Sequence, residues 1–483
     1  MADELGLDKP GWKFIYADDS AKELAAQIRK SASAKDPRLK LFKTATGRRR
    51  IYLFAPPGAK EKYLVKAYLP AKFSKRLKYL ARNSRCRQEF VAAKKLAELE
   101  IPAVKAYAFG YRTDSLLPAH ELVIEPYLQG LKNFAELWKE AGEDQQRDLF
   151  MALGRLVALM HKSGVLQRDF KPDSLLTKIS GNHLELILAD LERIRFQRGP
   201  LSAKSRTDNL GKIIQSFFRA EHCEEMETLL GEYSKASGMD CKGGELRQAA
   251  VLSGIRQAKK QAEERQSWAA KTNELILKFE KDGMEIRLSR ELGLAGPDLD
   301  VGTLVSKLQP DSINEINGKR LEVISPESAF ELMEKYFYLR ELRVKCRQVL
   351  LALDSRGKKG IAGIEIEDAQ PLSAFLKTLP KDQCERFIRG LGKFLFRIEL
   401  LGIDFKDPVA ESILVKAGAG DFSFLLSSPD QLIFSPANSA ATIEPAHSGL
   451  VKEISHLDAL TPAEIEQLIQ SMDDEQDRLF GLS

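Results

Sequence analysis

Two stretches of this chain, laid one over the other without a gap, constrain its fold more than any other feature. "LGRLVALMHKSGVLQRDFKPDSLLTK" (Leu153–Lys178) and "LGKFLFRIELLGIDFKDPVAESILVK" (Leu391–Lys416) agree in seven of twenty-six columns, where pairing at ordinary composition gives about two. The matches include Asp169 with Asp407 and Ser174 with Ser412. Each stretch reads as an apolar helix, a loop and a strand, the first helix stopping at Gly164. A chain of 483 residues has room for two to four domains, and the repeat points to two copies of one fold. Coincidence between two helix-loop-strand units is the alternative.

Along the chain, strands precede helices. "RRRIYLFA" (Arg48–Ala55) and "EKYLVKAYL" (Glu61–Leu69) flank the turn "PPGAK" and read as a hairpin. The helical pattern of "SRCRQEFVAAKKLAELE" stops before Pro102. "AYAFGYR" and "HELVIEPYL" add strands, and the texture after Leu128 is helical. A charge-rich helical stretch, 205–283, follows, then strand-like pieces and helices again, ending in a helix with Thr461 as N-cap, Pro462 next and Glu464 closing a capping box. Charged residues are 30% and hydrophobic ones 43%, an ordinary balance for a soluble globular protein. The five cysteines are scattered without C-x-x-C spacing, so neither disulfides nor a zinc site is indicated and a reducing, cytoplasmic setting is expected. No leader or apolar run of roughly 18 residues suggests secretion or a membrane span.

The chemistry-bearing residues come in a restrictive order. "GVLQRDFKPDSLLTK" (Gly164–Lys178) resembles the catalytic loop of protein kinases, H-R-D-x-x-x-x-N, with Gln167 in place of His and Ser174 in place of Asn. Lys66 lies in a strand, Glu89 on the next helix, and Asp190 ends an apolar strand 21 residues after Asp169. Taken singly, each has an ordinary structural explanation; as an ordered set they point to phosphoryl transfer, which asks a protein mainly to position groups and neutralise charge. In that scheme Lys66 contacts phosphates, Glu89 orients it, and Glu125 and Tyr127 lie in the segment whose backbone meets adenine. Asp169 receives or orients the acceptor hydroxyl, Lys171 offsets charge, and Asp190 with Ser174 holds magnesium. The glycine-rich cover is thin, with Gly47 alone in "KTATGRRR", and Arg48 to Arg50 are candidates to contribute in its place.

This pattern resembles the lipopolysaccharide kinase family, which phosphorylates heptose or Kdo sugars of the inner core. The likeness rests on Tyr63–Gly110, then "MHKSGVLQRDFKPDSLL", "LADLER" and "SRTDNLGKIIQSF", covering about residues 35 to 235. It implies a kinase fold, ATP, Mg2+ and an acceptor sugar carried on lipid A at the cytoplasmic face of the inner membrane. From Lys72 to Lys95, nine basic residues accompany the single acid Glu89. This run is either a solvated helix face or a footprint for a polyanion. With the resemblance, Lys72, Lys75, Arg76, Lys78, Arg82 and Arg85 become candidates to hold an anionic membrane surface or the phosphorylated core, and no nucleic acid is expected.

The expected fold is α+β: two tandem protein-kinase-like domains, each with a small strand-rich lobe and a larger helical lobe. Residues 1–235 form the first, 236–283 a helical connector, and 284–483 a degenerate second domain. In the second copy Asp190 falls opposite Ser428, and "RLEVISP" offers no strand lysine. A protein kinase, or a non-catalytic scaffold of two pseudokinases, are the other readings; the short "ADLERIRFQRGPLSAKSRTD" leaves little room for a peptide platform.

Overall fold

Alternation along a single strand decides which way the first sheet faces. In β4 (Tyr63–Tyr68), Val65 and Ala67 enter one core, so by the period of two Lys66 and Tyr68 point to the other face. In this computed structural model the described residues are 11–34, 36–45, 49–68, 84–114, 117–181, 183–217, 223–238, 245–273, 275–281, 284–292, 312–355, 360–365, 367–406, 408–418, 421–429, 432–434 and 460–480, with Leu7, Leu308, Val451 and Ile454. They form mixed helix and strand structure in two units: Met1–Ser216 with Glu225–Gly243, and Phe217–Glu224 with Gly244–Ser483.

The first unit holds a six-stranded antiparallel sheet. It comprises β1 (Trp12–Tyr16), β2 (Leu39–Ala45), β3 (Arg49–Phe54), β4, β5 (Ala108–Asp114) and β6 (Leu117–Pro126), in the order β1-β5-β6-β4-β3-β2. On one face, Tyr52, Phe54, Val65 and Ile124 pack against Leu24 and Ile28 of the helix Asp19–Ser33. On the other, Tyr68, Phe109 and Val123 meet Cys86 and Phe90 of the helix Arg85–Glu98. That helix is capped by Ser84, whose hydroxyl accepts from the Arg87 amide at 3.2 Å. It ends where Glu100 turns left-handed (φ 55) and the Ile101 amide returns to the Leu96 carbonyl.

Helices and short strands complete this unit. The helices Phe134–Glu140 and Glu143–Lys162 lead into β8 (Val165–Gln167), the 3-10 turn Pro172–Ser174, β9 (Leu175–Ser180), β10 (His183–Leu188) and β11 (Ile194–Phe196). The pair Lys132–Asn133 (β7) joins β9 and β10 in one sheet, and β8 pairs with β11. Helices Ala203–Phe217 and Cys223–Ser237 follow. Gly154 allows the long helix to touch the last one, because a Cβ there would lie 2.5 Å from the Leu229 carbonyl oxygen.

The second unit has its own sheet, β12 (Ile276–Lys281), β13 (Met284–Ser289), β14 (Ser312–Ile316), β15 (Lys319–Ile324), β16 (Val349–Ser355) and β17 (Ile361–Glu365), in the order β12-β13-β16-β17-β15-β14. The span expected to be a separate connector contributes to this unit. Its helix Glu245–Gln266 buries Ala250, Val251 and Ile255 and packs on the helix Ala329–Glu341, and β12 is a sheet edge. Beyond the sheet come β18 (Gln370–Pro371), the helices Leu372–Leu376 and Cys384–Leu400, β19 (Ile403–Phe405), the short helix Val409–Ser412, β20 (Ile413–Ala417), β21 (Phe422–Leu426), β22 (Leu432–Phe434) and the helix Pro462–Phe480. The capping box at Thr461 and Glu464 forms as its sequence signature indicates.

Strand registers in the two units run in parallel. Leu175 pairs with Leu188 across β9 and β10, and Ile413 with Leu426 across β20 and β21. The Ala189 amide donates to the Ser174 carbonyl at 2.9 Å, and the Ser427 amide to the Ser412 carbonyl at 2.8 Å. Ala103 bridges Leu188 as Cys346 bridges Leu426. Gly392 lies against Ser471 and Leu468 of the last helix, as Gly154 lies against Leu229. Asp407, opposite Asp169 in the sequence repeat, lies outside the described residues.

Close helix approach sets a stability test. Gly154→Ala forces a methyl onto a carbonyl oxygen and should destabilise the first unit by about 1–3 kcal/mol. Gly231→Ala, in a helix where the added Cβ meets nothing within 4 Å, should stabilise by roughly 0.5–1 kcal/mol. Urea unfolding of both variants measures the contrast.

Candidate active site

Lys66 is the centre of a buried ion cluster in the first unit because its strand position points it at the helix Arg85–Glu98. Its Nζ lies 2.7 Å from Glu89 Oε1 and 2.5 Å from Glu125 Oε2. All three side chains are buried, Lys66 at 6% exposure, Glu89 at 0% and Glu125 at 2%. Burial alone would lower the lysine pKa, but Glu125 and Glu89 outweigh it and hold the ammonium charged. Burial, then the neighbouring Glu89, pushes the Glu125 carboxyl up. Glu125 therefore uses its side chain on Lys66, while the Tyr127 amide donates to the Lys62 carbonyl at 2.8 Å and the Tyr127 ring meets Phe42 edge-on.

Asp190 stands near this cluster. Burial, then Glu89 and Glu192, raises its pKa, with Arg49 and Lys66 opposing. Arg49 comes from β3, stacks over the Tyr68 ring at 5.3 Å, and is held protonated by Tyr68, Glu89, Asp190 and Glu192 against the cost of its burial. The Tyr68 hydroxyl donates to Glu192 at 3.0 Å, and Arg85 reaches the same carboxylate at 3.5 Å. Arg85, expected to face a membrane, thus has an internal partner. Lys72, Lys75, Arg76, Lys78 and Arg82 lie outside the described residues, as do Gly47 and Arg48.

The catalytic-loop residues are more open. Asp169 and Lys171 are both exposed and 3.4 Å apart. Ser174 closes the turn by donating its hydroxyl to the Lys171 carbonyl at 2.6 Å. Its lone pairs remain available, and its own carbonyl ties it to Ala189, next to Asp190.

Gln167 finds its use in a buried polar chain. Its Nε2 donates to the Asp190 carbonyl at 2.7 Å, and its own carbonyl accepts from Asn209 Nδ2 at 2.6 Å. Asn209 Oδ1 is 2.9 Å from His161 Nε2, and His161 Nδ1 is 3.0 Å from the Tyr233 hydroxyl. Gln167 thus anchors the loop strand to the metal-ligand candidate without a charge. Glu192, Asn209 and His161 were not singled out by sequence reasoning, whereas Arg49 lies within the Arg48 to Arg50 run offered in place of a glycine-rich cover.

The residues fit a divalent cation. Asp190 Oδ1, Glu89 Oε2 and Glu125 Oε1 are buried without a hydrogen-bond partner, a costly state that a cation would relieve. Among the described residues no three His, Cys, Asp or Glu side chains could hold a metal by themselves. Magnesium suits such a site, since it takes one or two carboxylates and completes its shell with water and substrate phosphates.

Comparison with known proteins gives this geometry a context. Residues 35–233 match the lipopolysaccharide kinase (Kdo/WaaP) family. Members of that family are kinases that phosphorylate lipopolysaccharide sugars, so the first unit is read as an ATP-dependent phosphotransferase. No curated protein matches the chain. A solved structure described as "WaaP in complex with acyl carrier protein" aligns at 20% identity over 46% of this chain and 89% of that one, with a TM-score of 0.35, too slight a likeness to bear argument. No helix among the described residues is long and apolar enough to cross a membrane.

Two measurements test the kinase unit's interior. Lys66→Met leaves two buried carboxylates without their cation and should cost about 3–5 kcal/mol at neutral pH. The deficit relative to wild type should shrink in acid as the Glu125 carboxyl, already pushed up by burial, protonates; urea titrations at two pH values report it. His161 is held neutral, its pKa lowered to about 4 chiefly by burial. Between about 6.5 and 4 the unfolded chain binds the extra proton, so stability from this residue is complete above 6.5 and falls as pH drops through that window. His161→Gln should flatten the fall.

Proposed function

We propose that the first unit transfers phosphate from ATP, with magnesium, to a heptose or Kdo sugar of the lipopolysaccharide inner core at the cytoplasmic face of the inner membrane. The buried Lys66–Glu89 pair, set beside Asp190 in the segment that matches the sugar kinases, carries this reading. Lys66 and Arg49 supply positive charge where phosphates would bind, and bound magnesium would neutralise charge developing on the phosphoryl oxygens. Asp190 holds that metal with help from Ser174. Asp169, exposed and next to Lys171, accepts the sugar hydroxyl's proton or orients the hydroxyl. The basic run Lys72–Arg82 meets the anionic membrane or the phosphorylated core.

The second unit is, in the same proposal, a degenerate copy of the kinase fold. Its inner strand order β16-β17-β15-β14, its β20–β21 register and its glycine-mediated helix contact parallel β5-β6-β4-β3, the β9–β10 register and the Gly154 contact of the first unit. On β15, which pairs with β17 as β4 pairs with β6, the face toward the helix Ala329–Glu341 carries Glu322 and Ile324 and no lysine, and Ser428 follows Ser427 as Asp190 follows Ala189. It therefore lacks the strand cation and the metal carboxylate.

Nucleotide binding tests the site directly. Asp190→Ala should weaken magnesium-dependent ATP binding by about tenfold or more in calorimetry, whereas Ser428→Ala should change nothing. In cells, Asp169→Ala or loss of the protein should remove one phosphate from the core in mass spectra; an unchanged phosphate count in both would defeat the sugar-kinase reading.

A further inference from the structure

The second unit contains a cavity of about 540 Å³, within the roughly 300–1,000 Å³ typical of small-ligand sites. It is bounded by the turn after the helix Ala329–Glu341, by the helix Cys384–Leu400 and by β21. Its floor is aromatic. Phe394 stacks on Phe424 with ring centroids 5.7 Å apart. Its wall is basic: Arg386, Arg389, Lys393 and Arg397 follow one another at steps of three and four, which puts them on one face of the helix.

A solvated helix face does not account for this arrangement. Arg397 is only 5% exposed, and Arg386 lies over the Phe422 ring at 5.5 Å. Opposing acids are few. Asp421 accepts from the Phe422 amide at 2.8 Å, and Glu385 pairs with Arg389 at 2.8 Å. In the gapless sequence register the first unit's helix carries Asp148, Met151, Arg155 and Leu159 at the same positions, so three of the four cations belong to the second unit alone and only Lys393 has a basic counterpart. Glu322, Ile324, Ser412 and Ser428 do not line the cavity; it is separate from the place where a kinase-like fold would hold nucleotide.

We propose that this cavity binds a phosphorylated amphiphile, its phosphate against Arg386, Arg389 and Lys393 and its hydrocarbon over Phe394 and Phe424. Guanidinium groups match phosphate oxygens in bidentate geometry, and three flanking cations with one paired acid favour a multiply charged head. Such cations would hold a free anion weakly at an open helix surface, while the aromatic floor rewards a chain. The proposal stands independently of the phosphotransfer reading.

Calorimetry on the full chain decides it, with dodecyl phosphate below its micellar concentration as the probe. Dodecyl phosphate should bind about tenfold or more tightly than inorganic phosphate and than neutral dodecyl maltoside. Arg389→Glu with Lys393→Glu should weaken it by about tenfold or more, and Phe394→Ser should bring it down to the level of inorganic phosphate. Asp169→Ala should leave binding unchanged, which separates this site from the kinase cleft. If the double variant melts early, the exposed Arg386→Gln gives the same readout. Lysophosphatidylglycerol and an acylated glucosamine phosphate, titrated in parallel, tell a membrane glycerolipid from a glycolipid. Equal affinity for inorganic phosphate, or full affinity in the charge-reversed variants, overturns the proposal.

Discussion

The burial of one ammonium between two carboxylates is the constraint on which the first unit turns. Removing such ions from water costs several kcal/mol each, and their attraction offsets it only when geometry is held by everything around them. Here the holding is done by sheet register, which points Lys66 away from the Val65 and Ala67 core, and by the helix Arg85–Glu98, packed through Cys86 and Phe90 so that Glu89 faces inward. The apolar cores on the two faces of the sheet thus serve one polar contact.

Charge around that contact is unbalanced by design of position. Glu89, Glu125, Asp190 and Glu192 share the neighbourhood with Lys66, Arg49 and Arg85, and several carboxylate oxygens are left with no donor. Buried carboxylate oxygens without donors are costly, and such a neighbourhood favours positive charge. Asp169 is outside this buried group, in water and beside Lys171, where a substrate hydroxyl can approach.

Much of this was legible in the sequence, for reasons that can be named. Lys66, Glu89, Asp169 and Asp190 lie on elements whose type is written in local periodicity, so their order along the chain fixed their order in space. The matched sequence stretches have a backbone counterpart, since the Ala189 and Ser427 amides bond to Ser174 and Ser412 at the same gapless offset. What escaped reading was contact between distant side chains. His161, Asn209 and Gln167 meet across separations of 48 and 42 residues, and no periodicity encodes such a meeting. Glu125 was placed in the right segment, but its side chain turned to Lys66, because strand alternation sets facing while function had suggested an edge. The expected connector contained a buried helix and a strand, since a charge-rich pattern hid small apolar residues such as Ala250, Val251 and Ala262.

The bridge between Ala103 and Leu188 has a broader meaning. The Val104 amide donates to the Leu188 carbonyl at 2.8 Å and the Leu188 amide to the Pro102 carbonyl at 3.0 Å, tying the exit of the Glu89 helix to the strand that delivers Asp190. In the second unit the Arg347 amide reaches the Leu426 carbonyl at 3.1 Å and the Leu426 amide the Lys345 carbonyl at 3.0 Å. A brace made of amides and carbonyls is indifferent to the side chains it aligns. Chemistry can therefore drain out of such a frame, one substitution at a time, while the frame stands and is free to be furnished for another ligand.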